Sequence, residues 1–136
     1  MYLVDTNVIS EARKGDKANP GVRQFWQTVD EAALYLPAQT IGEIRRGLEN
    51  IRNRGDHAQA DLLEQWLNLI VTDYADRILS FDEACAQVWG KLMSPHQQHL
   101  IDKQIAAIAL IHDLTVVTRN VDDFRGTGVA LKNPFV

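Results

Sequence analysis

The chain begins with an apolar run that ends abruptly in polar residues: MYLVDTNVIS, residues 1–10. Tyr2 to Val4 have the composition of a buried β-strand, and Asp5 follows at once. A second apolar run, Leu114 to Val117, leads in the same way into the polar segment TRNVDDF, residues 118–124. In open parallel sheets, ligands bind beyond the carboxyl ends of the strands. We therefore expect both polar segments to lie at one edge of a sheet.

Further apolar runs with the composition of strands alternate with segments of helical period. The expected strands cover residues 2–4, 34–36, 77–79, 114–117 and 129–131. The expected helices are one opened by Pro20, two near 38–51 and 57–71, one from a capping box at Ser80 and Glu83 to about Met93, and one from about Leu100. This alternation predicts an α/β sandwich built around a short, mainly parallel sheet with helices on both faces. No linker divides the chain, so we expect residues 1–136 to form a single domain.

The bulk composition limits the function classes. With 136 residues, 46% hydrophobic and 24% charged, the chain is long enough to bury a core. Its net charge of −4 argues against a nonspecific nucleic-acid binder, which is normally basic. The N-terminus lacks the pattern of a signal peptide and no run is apolar enough to span a membrane, so we expect a cytoplasmic protein. Cys85 lies in an apolar-periodic stretch and is expected in the core.

Two carboxylates have both a structural and a chemical interpretation. Asp5 could serve only as the N-cap of a short helix beginning near Val8. Glu43 closes the segment TIGE, residues 40–43, which has capping-box spacing, so it could merely accept a backbone N–H. Against that, Gly42 is costly in a first helical turn and suggests that something approaches the backbone closely there.

Asp102 is harder to interpret as structural. Ile105, Ala106 and Ala109 follow it at helical spacing, so its carboxylate lies on the small, apolar face of its helix. A carboxylate in such a place must be paired, protonated or bound to metal. We expect no basic residue one turn away on that face, because Lys103 points elsewhere.

Several acids at one sheet edge would repel each other without a cation. Hard divalent ions such as Mg²⁺ or Mn²⁺ prefer oxygen ligands, and the chemistry implied is phosphodiester hydrolysis by metal-activated water. A zinc site is not expected, because His96 and His99 have no second ligand pair at zinc spacing. All four histidines are expected to be surface or packing residues.

Basic residues cluster after Glu43 and beside the last acidic group: Arg45, Arg46, Arg52, Arg54 and Arg119. They could hold an RNA backbone beside the metal, since phosphate contacts supply most nucleic-acid affinity. The alternative is a solvated helix face that pairs with Glu49 and Asp56.

Five segments together resemble, in order and spacing, the PIN-domain ribonuclease toxins called VapC, especially the FitB-like branch: LVDTNVIS from Leu3, TIGE from Thr40, DKQIAAIAL from Asp102, VTRNVDDF from Val117 and NPF from Asn133. The resemblance implies a PIN-like α/β/α sandwich and an endoribonuclease that depends on Mg²⁺ or Mn²⁺ and cuts structured RNA such as tRNA. It also implies a homodimer and a cognate VapB-like antitoxin, through which alone the protein would reach operator DNA.

The resemblance assigns roles to individual residues. Asp5, Glu43 and Asp102 match the acids that bind metal, and Thr118 matches a hydroxyl that holds water or a carboxylate. Some relatives have an aspartate where Asn120 stands, so the fourth acidic contribution would come from Asp122 or Asp123, or be replaced by Asn120. The candidate catalytic set is therefore Asp5, Glu43, Asp102, Thr118, Asn120 and Asp123, and the candidate RNA-binding set is Arg45, Arg46 and Arg119.

Other classes fit less well. A phosphorelay receiver domain needs a phospho-accepting aspartate after its third strand, where this chain has Ser80 and Phe81. A nucleotide-binding domain needs a glycine-rich phosphate loop that the sequence lacks. The alternative that stays open is a PIN-like protein that binds DNA with a partner and has weak or no nuclease activity.

Overall fold

The computed structural model describes all 136 residues and contains one five-stranded sheet. The strands are β1 (Tyr2–Val4), β2 (Leu34–Pro37), β3 (Ile78–Leu79), β4 (Thr115–Val117) and β5 (Leu131–Lys132). They lie in the order β3-β2-β1-β4-β5, and every neighbouring pair is parallel. The predicted parallel sheet is confirmed. Because β1 and β4 are adjacent and in register, their carboxyl ends bring the two polar segments together, as expected.

Strand β5 begins two residues later than predicted. The backbone N–H of Val129 donates to the hydroxyl of Thr127 at 3.4 Å instead of joining the sheet. Gly128, with φ of +85°, adopts the left-handed conformation that glycine tolerates, so the chain is still turning at this point. The ladder starts only where Val116 donates to the carbonyl of Ala130 at 2.9 Å.

Six helices connect or flank the strands: α1 (Thr6–Ala12), α2 (Pro20–Thr28), α3 (Ala38–Asn53), α4 (His57–Asp73), α5 (Glu83–Leu92) and α6 (Leu100–His112). The capping box predicted at Ser80 is wrong, because Asp82 caps α5 by accepting the Cys85 N–H at 2.9 Å. None of the six helices combines the length and the apolar composition that crossing a bilayer would require.

Helices cover both faces of the sheet, as predicted, and each face has its own apolar core. Successive strand residues point to opposite faces. Leu3 belongs to the core beneath α5 and α6, whereas Val4 belongs to the core beneath α1 to α4. Val116 and Val117 divide in the same way. Cys85 is fully buried in the α5 and α6 core, as expected.

The C-terminal tail is fixed to the start of α2. The Asn19 side chain donates to the Val136 carbonyl at 2.9 Å and accepts the Val136 N–H at 3.1 Å. Its carbonyl oxygen also caps α2 by accepting the Gly21 N–H at 3.0 Å. The tail passes so close that a Cβ atom on residue 21 would collide with the carbonyl oxygen of Pro134. Only glycine fits here without a shift of the tail.

We therefore expect Gly21→Ala to destabilise the protein by about 1–3 kcal/mol, the usual cost of forcing extra volume into a packed contact. Gly90→Ala is the matched control, since a Cβ there meets open space on helix α5. It should stabilise the protein by about 0.5–1 kcal/mol through helix propensity. Urea unfolding of the three proteins measures both effects. Equal free energies of unfolding for the two variants would show that the tail does not constrain residue 21.

Candidate metal centre

The Asp5 carboxylate joins the ends of strands β1 and β4. One oxygen accepts the Thr6 N–H at 2.8 Å and so caps α1, which begins at Thr6 and not near Val8 as predicted. The other oxygen accepts the Thr118 hydroxyl at 2.9 Å and the Asn7 side-chain amide at 3.2 Å. Asp5 is 5% exposed. The capping interpretation is thus correct for one oxygen, while the second oxygen is held against the end of β4.

The polar segment after β4 is fixed by the same hydrogen-bond network. The buried Thr118 hydroxyl accepts the Asn7 amide at 3.2 Å and the Asn120 backbone N–H at 3.0 Å, while it donates to Asp5. The Asn7 carbonyl oxygen accepts the Arg119 N–H at 3.0 Å. Every hydrogen bond in this network joins or orders the two strand ends, so Asp5 and Thr118 have little freedom to move.

Glu43 is held from α1 and does not cap its own helix. Helix α3 begins at Ala38, before Thr40, so the capping box that TIGE suggested does not form. The Thr6 hydroxyl instead donates to Glu43 Oε1 at 2.7 Å. The expected close approach to Gly42 is also absent, because a Cβ there would meet nothing within 4 Å. Glu43 is exposed and oriented toward Thr6, the residue that follows Asp5.

Asp102 lies in the first turn of α6 with its side chain 26% exposed. Ile105, Ala106 and Ala109 on the same face are all buried, which confirms the predicted apolar face. The expectation that no basic residue lies one turn away is wrong. His99, immediately before α6, places its Nδ1 atom 3.8 Å from Asp102 Oδ2, because positions three apart share a helix face.

Of the three candidates for the fourth position, the structure brings Asp123 to this cluster. Asp123 Oδ1 lies 3.7 Å from His99 Nδ1, and ligand atoms of His99, Asp102 and Asp123 all lie within 4.8 Å of one another. Asp122 instead pairs with Arg125 at 2.8 Å on the surface. The side chain of Asn120 is exposed, and only its backbone N–H takes part in the network.

Burial and neighbouring charges both raise the pKa values of two acids at this site. Burial is the largest cause that raises the pKa of Asp102, to about 6, and the charges of Asp5, Asp123 and Glu43 raise it further, while His99 lowers it. Burial also raises the pKa of Asp5, against the hydrogen bonds from Thr118, Thr6 and Asn7. The charge of Asp123 thus acts on both Asp5 and Asp102, and Asp102 also feels the charges of Asp5 and Glu43.

The donor set fits a divalent cation. Two carboxylates and one imidazole have ligand atoms within 4.8 Å of one another, and Asp5 adds negative charge beside them. Hard divalent ions are bound by such groups together with water. The tightest group contains only Asp102 from the predicted metal ligands, so the roles of Asp5 and Glu43 as ligands stay predictions. Sequence reasoning missed His99, although its spacing of three from Asp102 was visible.

The candidate RNA-binding arginines divide into two groups. Arg45 pairs with Glu49 and Glu64, each at 3.0 Å, within a network between α3 and α4 that also includes Arg52 and Asp61. Asp56, the other suggested partner, caps α4 instead by accepting the Gln59 N–H at 3.1 Å. Arg46 is exposed and outside that network, and the Arg119 guanidinium lies 5.2 Å from the ring centre of Phe135. Arg46 and Arg119 thus stand outside the ion pairs between α3 and α4, and RNA binding by these arginines stays a prediction.

Comparisons with known proteins agree with this fold. A family model described as the PIN domain matches residues 2–129. The chain is similar to the Toxin FitB of Neisseria gonorrhoeae, with 35% identity over 141 residues and 99% of each chain covered. It is 28% identical over 140 residues to the VapC ribonuclease Y4jK of Sinorhizobium fredii, covering 99% of this chain and 98% of the other. The crystal structure of FitAcB from Neisseria gonorrhoeae superposes with a TM-score of 0.87 and 34% identity, covering 98% of both chains.

The crowded carboxylates lead to a stability prediction. In EDTA, Asp102→Asn should be more stable than the parent near pH 7. The folded pKa of about 6 exceeds the unfolded value of 3.8, so the folded parent binds more protons between pH 4 and 6 and loses stability as pH rises through that window. We compare the free energy of unfolding of Asp102→Asn with that of the parent at each pH. The advantage of the variant should be up to about 3 kcal/mol larger at pH 7 than at pH 4. Chemical unfolding at each pH measures it.

The same variant tests metal binding. Mg²⁺ should raise the melting temperature of the parent more than that of Asp102→Asn, because an ion that binds only the folded state stabilises it. Equal metal-induced shifts in both proteins would contradict a cation site at Asp102.

Proposed function

The chain belongs to the PIN domain family, and from that premise we propose that it is a metal-dependent endoribonuclease that acts as the toxin of a toxin–antitoxin pair. One observation carries the proposal: Asp102 and Asp123 meet beside His99, in a site where burial and then the charges of Asp5, Asp123 and Glu43 raise the pKa of Asp102 to about 6. Such crowding disfavours the metal-free protein and favours a bound cation. The similarity to the FitB toxin and to a VapC ribonuclease supports the same activity.

Asp102 and Asp123 would hold the divalent ion, Mg²⁺ or Mn²⁺, with Asp5 beside them. A bound ion of this kind supplies a water of lowered pKa and neutralises charge on a phosphate. Asp5 contributes a carboxylate in one fixed orientation, because Thr6, Asn7 and Thr118 donate to it. The Thr118 hydroxyl acts as a positioning group for that carboxylate.

Glu43 is the acid that a second ion would use. Its carboxylate is held by the Thr6 hydroxyl at 2.7 Å, one residue along the chain from Asp5. It is exposed, and so it can meet a substrate phosphate and an ion from solvent. Two ions can share the work on the attacking and leaving oxygens of a phosphodiester. The role of Glu43 thus distinguishes two forms of the proposal: it would bind an ion in the two-ion form and would not in the one-ion form.

The substrate class is RNA held by its phosphates. Arg46 and Arg119 carry guanidinium groups outside the ion pairs between α3 and α4, and phosphate contacts of this kind supply most nucleic-acid affinity. Arg45 would first have to release Glu49 and Glu64. We propose structured RNA such as tRNA, in which splayed loop bases let an enzyme reach one phosphodiester.

The proposed partner is a VapB-like antitoxin. A cluster of carboxylates attracts guanidinium, whose planar fork binds carboxylates bidentately, so an arginine on an antitoxin arm would block the ion site. On this proposal the chain forms a homodimer, works in the cytoplasm where its RNA substrate is found, and meets operator DNA only through the antitoxin.

Two adjacent aspartates give a matched test of the nuclease. Asp123→Asn should lose RNA cleavage by a factor of about 100 or more, because it removes a proposed ion ligand. Asp122→Asn should keep parental activity, since it removes only a surface pair with Arg125. The assay uses purified chain and tRNA with Mg²⁺ or Mn²⁺, and Asp5→Asn should resemble Asp123→Asn. Equal activity in the two neighbouring variants would contradict the assignment of Asp123.

The products report the mechanism. Attack by water should leave a 5′-phosphate and a 3′-hydroxyl, and EDTA should stop the reaction. A 2′,3′-cyclic phosphate would show attack by the 2′-hydroxyl of the RNA instead, and would refute the proposed chemistry.

Growth assays test the biological part of the proposal. Expression of the chain alone should arrest growth, Asp5→Asn should abolish the arrest, and co-expression of the neighbouring antitoxin should restore growth. Replacing an arginine in the antitoxin arm should weaken inhibition, with a smaller loss at high salt because salt screens exposed charges. If Asp5→Asn stayed as toxic as the parent, a DNA-binding role with weak or no nuclease activity would replace the nuclease proposal.

A further inference from the structure

His99 is a polar side chain at the acidic site for which the proposed nuclease has no role so far. Its Nδ1 atom lies 3.8 Å from Asp102 Oδ2 and 3.7 Å from Asp123 Oδ1. Both distances are too long for a hydrogen bond. They do suit groups that share one cation, because ligand atoms about 2.1 Å from one ion can stand up to about 4.2 Å apart.

The backbone around His99 is unusual and leaves the imidazole free. His99 has φ of 57° and ψ of 52°, the left-handed region that residues other than glycine seldom occupy. It stands at the N-cap of α6 but makes no side-chain capping bond. Its carbonyl oxygen accepts the Lys103 N–H at 2.9 Å and starts the helix. The backbone thus begins α6, while the side chain is directed to Asp102 and Asp123.

We propose that His99 supplies an imidazole nitrogen to the ion that Asp102 and Asp123 hold, and that this nitrogen makes the site prefer Mn²⁺ to Mg²⁺. The inference rests on the proposed ion site and adds to it a ligand and a metal preference. Carboxylates and water suit both ions, whereas imidazole suits first-row transition ions and is a poor ligand for Mg²⁺. A site with both oxygen and nitrogen ligands therefore binds Mn²⁺ in preference to Mg²⁺, whereas a site with oxygen ligands alone would discriminate less between them.

The competing role for His99 is that of a counter-charge. Held next to two carboxylates, a protonated imidazole would stabilise the metal-free protein and would compete with an incoming cation. The two roles predict opposite effects of removing the ring. Loss of a ligand weakens Mn²⁺ binding, whereas loss of a competing positive charge strengthens the binding of both ions.

The test uses the full chain, stripped of metal and titrated separately with Mn²⁺ and Mg²⁺, by electron paramagnetic resonance for Mn²⁺ and by calorimetry for both. His99→Asn is the variant, because asparagine tolerates the left-handed backbone of this position better than other residues. His96→Asn is the matched control, as an exposed histidine in the same segment. We expect His99→Asn to raise the Kd for Mn²⁺ about tenfold and to change the Kd for Mg²⁺ less than twofold. His96→Asn should change neither.

A spectroscopic measurement on the unaltered chain makes the test independent of how the variant folds. With ¹⁵N-labelled histidine, the spin-echo signal of bound Mn²⁺ should show coupling to a histidine nitrogen. Absence of that coupling in the parent would overturn the proposal. So would an unchanged or tighter Mn²⁺ affinity in a folded His99→Asn protein, or an equal fractional loss for both ions.

Failure of this inference and failure of the proposed nuclease give different results. If the parent cleaves RNA but Mn²⁺ shows no nitrogen coupling, the nuclease stands and the ligand role of His99 is refuted. If Mn²⁺ binding depends on His99 but no RNA is cleaved with either ion, the ion site stands and the nuclease is refuted.

Discussion

The buried carboxylate of Asp5 is the constraint on which the rest of the site depends. A carboxylate that is 5% exposed must have donors for both oxygens, and it obtains them from the start of α1 and the end of β4. Meeting that requirement fixes how β1 and β4 end relative to each other. The register that pairs Val4 with Val117 then places the next residues of both strands at the same edge of the sheet. The hydrogen bonds that satisfy the buried Asp5 carboxylate therefore also place the candidate site residues side by side.

The second consequence is that the site concentrates negative charge that the fold does not neutralise. The donors around Asp5 are neutral hydroxyl, amide and backbone groups, and Arg45 and Arg52 are committed to an ion-pair network between α3 and α4. Burial first, and then these neighbouring charges, raise the pKa of Asp102 to about 6. Active sites commonly keep such unfavourable arrangements at a cost to stability, because the repulsion becomes binding energy when the correct ligand arrives.

The sequence was sufficient to predict the architecture, because strand composition and helical period depend on residues close together in the chain. It was also sufficient for Asp102, whose apolar face is a matter of helical spacing. The sequence could not distinguish Asp122 from Asp123. The two are neighbours in a short helical turn, and the orientation of that turn decides which side chain faces α6. His99 was missed because zinc spacing was sought between histidines, whereas its partners are one carboxylate a turn away and another far along the chain.

The net charge of −4 argues against a nonspecific nucleic-acid binder, but it does not exclude an enzyme whose acidic site is neutralised by a metal ion. Seven of the 18 acidic residues lie in two places: four at the candidate site, and three in the ion pairs with Arg45 and Arg52. On the proposed function, the edge repels phosphate only while no ion is bound. A divalent cation would offset much of that negative charge, so metal binding and RNA binding would be coupled through the same carboxylates. A guanidinium from an inhibitor would satisfy those carboxylates without leaving room for a phosphate. Ion, substrate and inhibitor therefore act on one electrostatic feature, and the total charge of the chain says little about any of them.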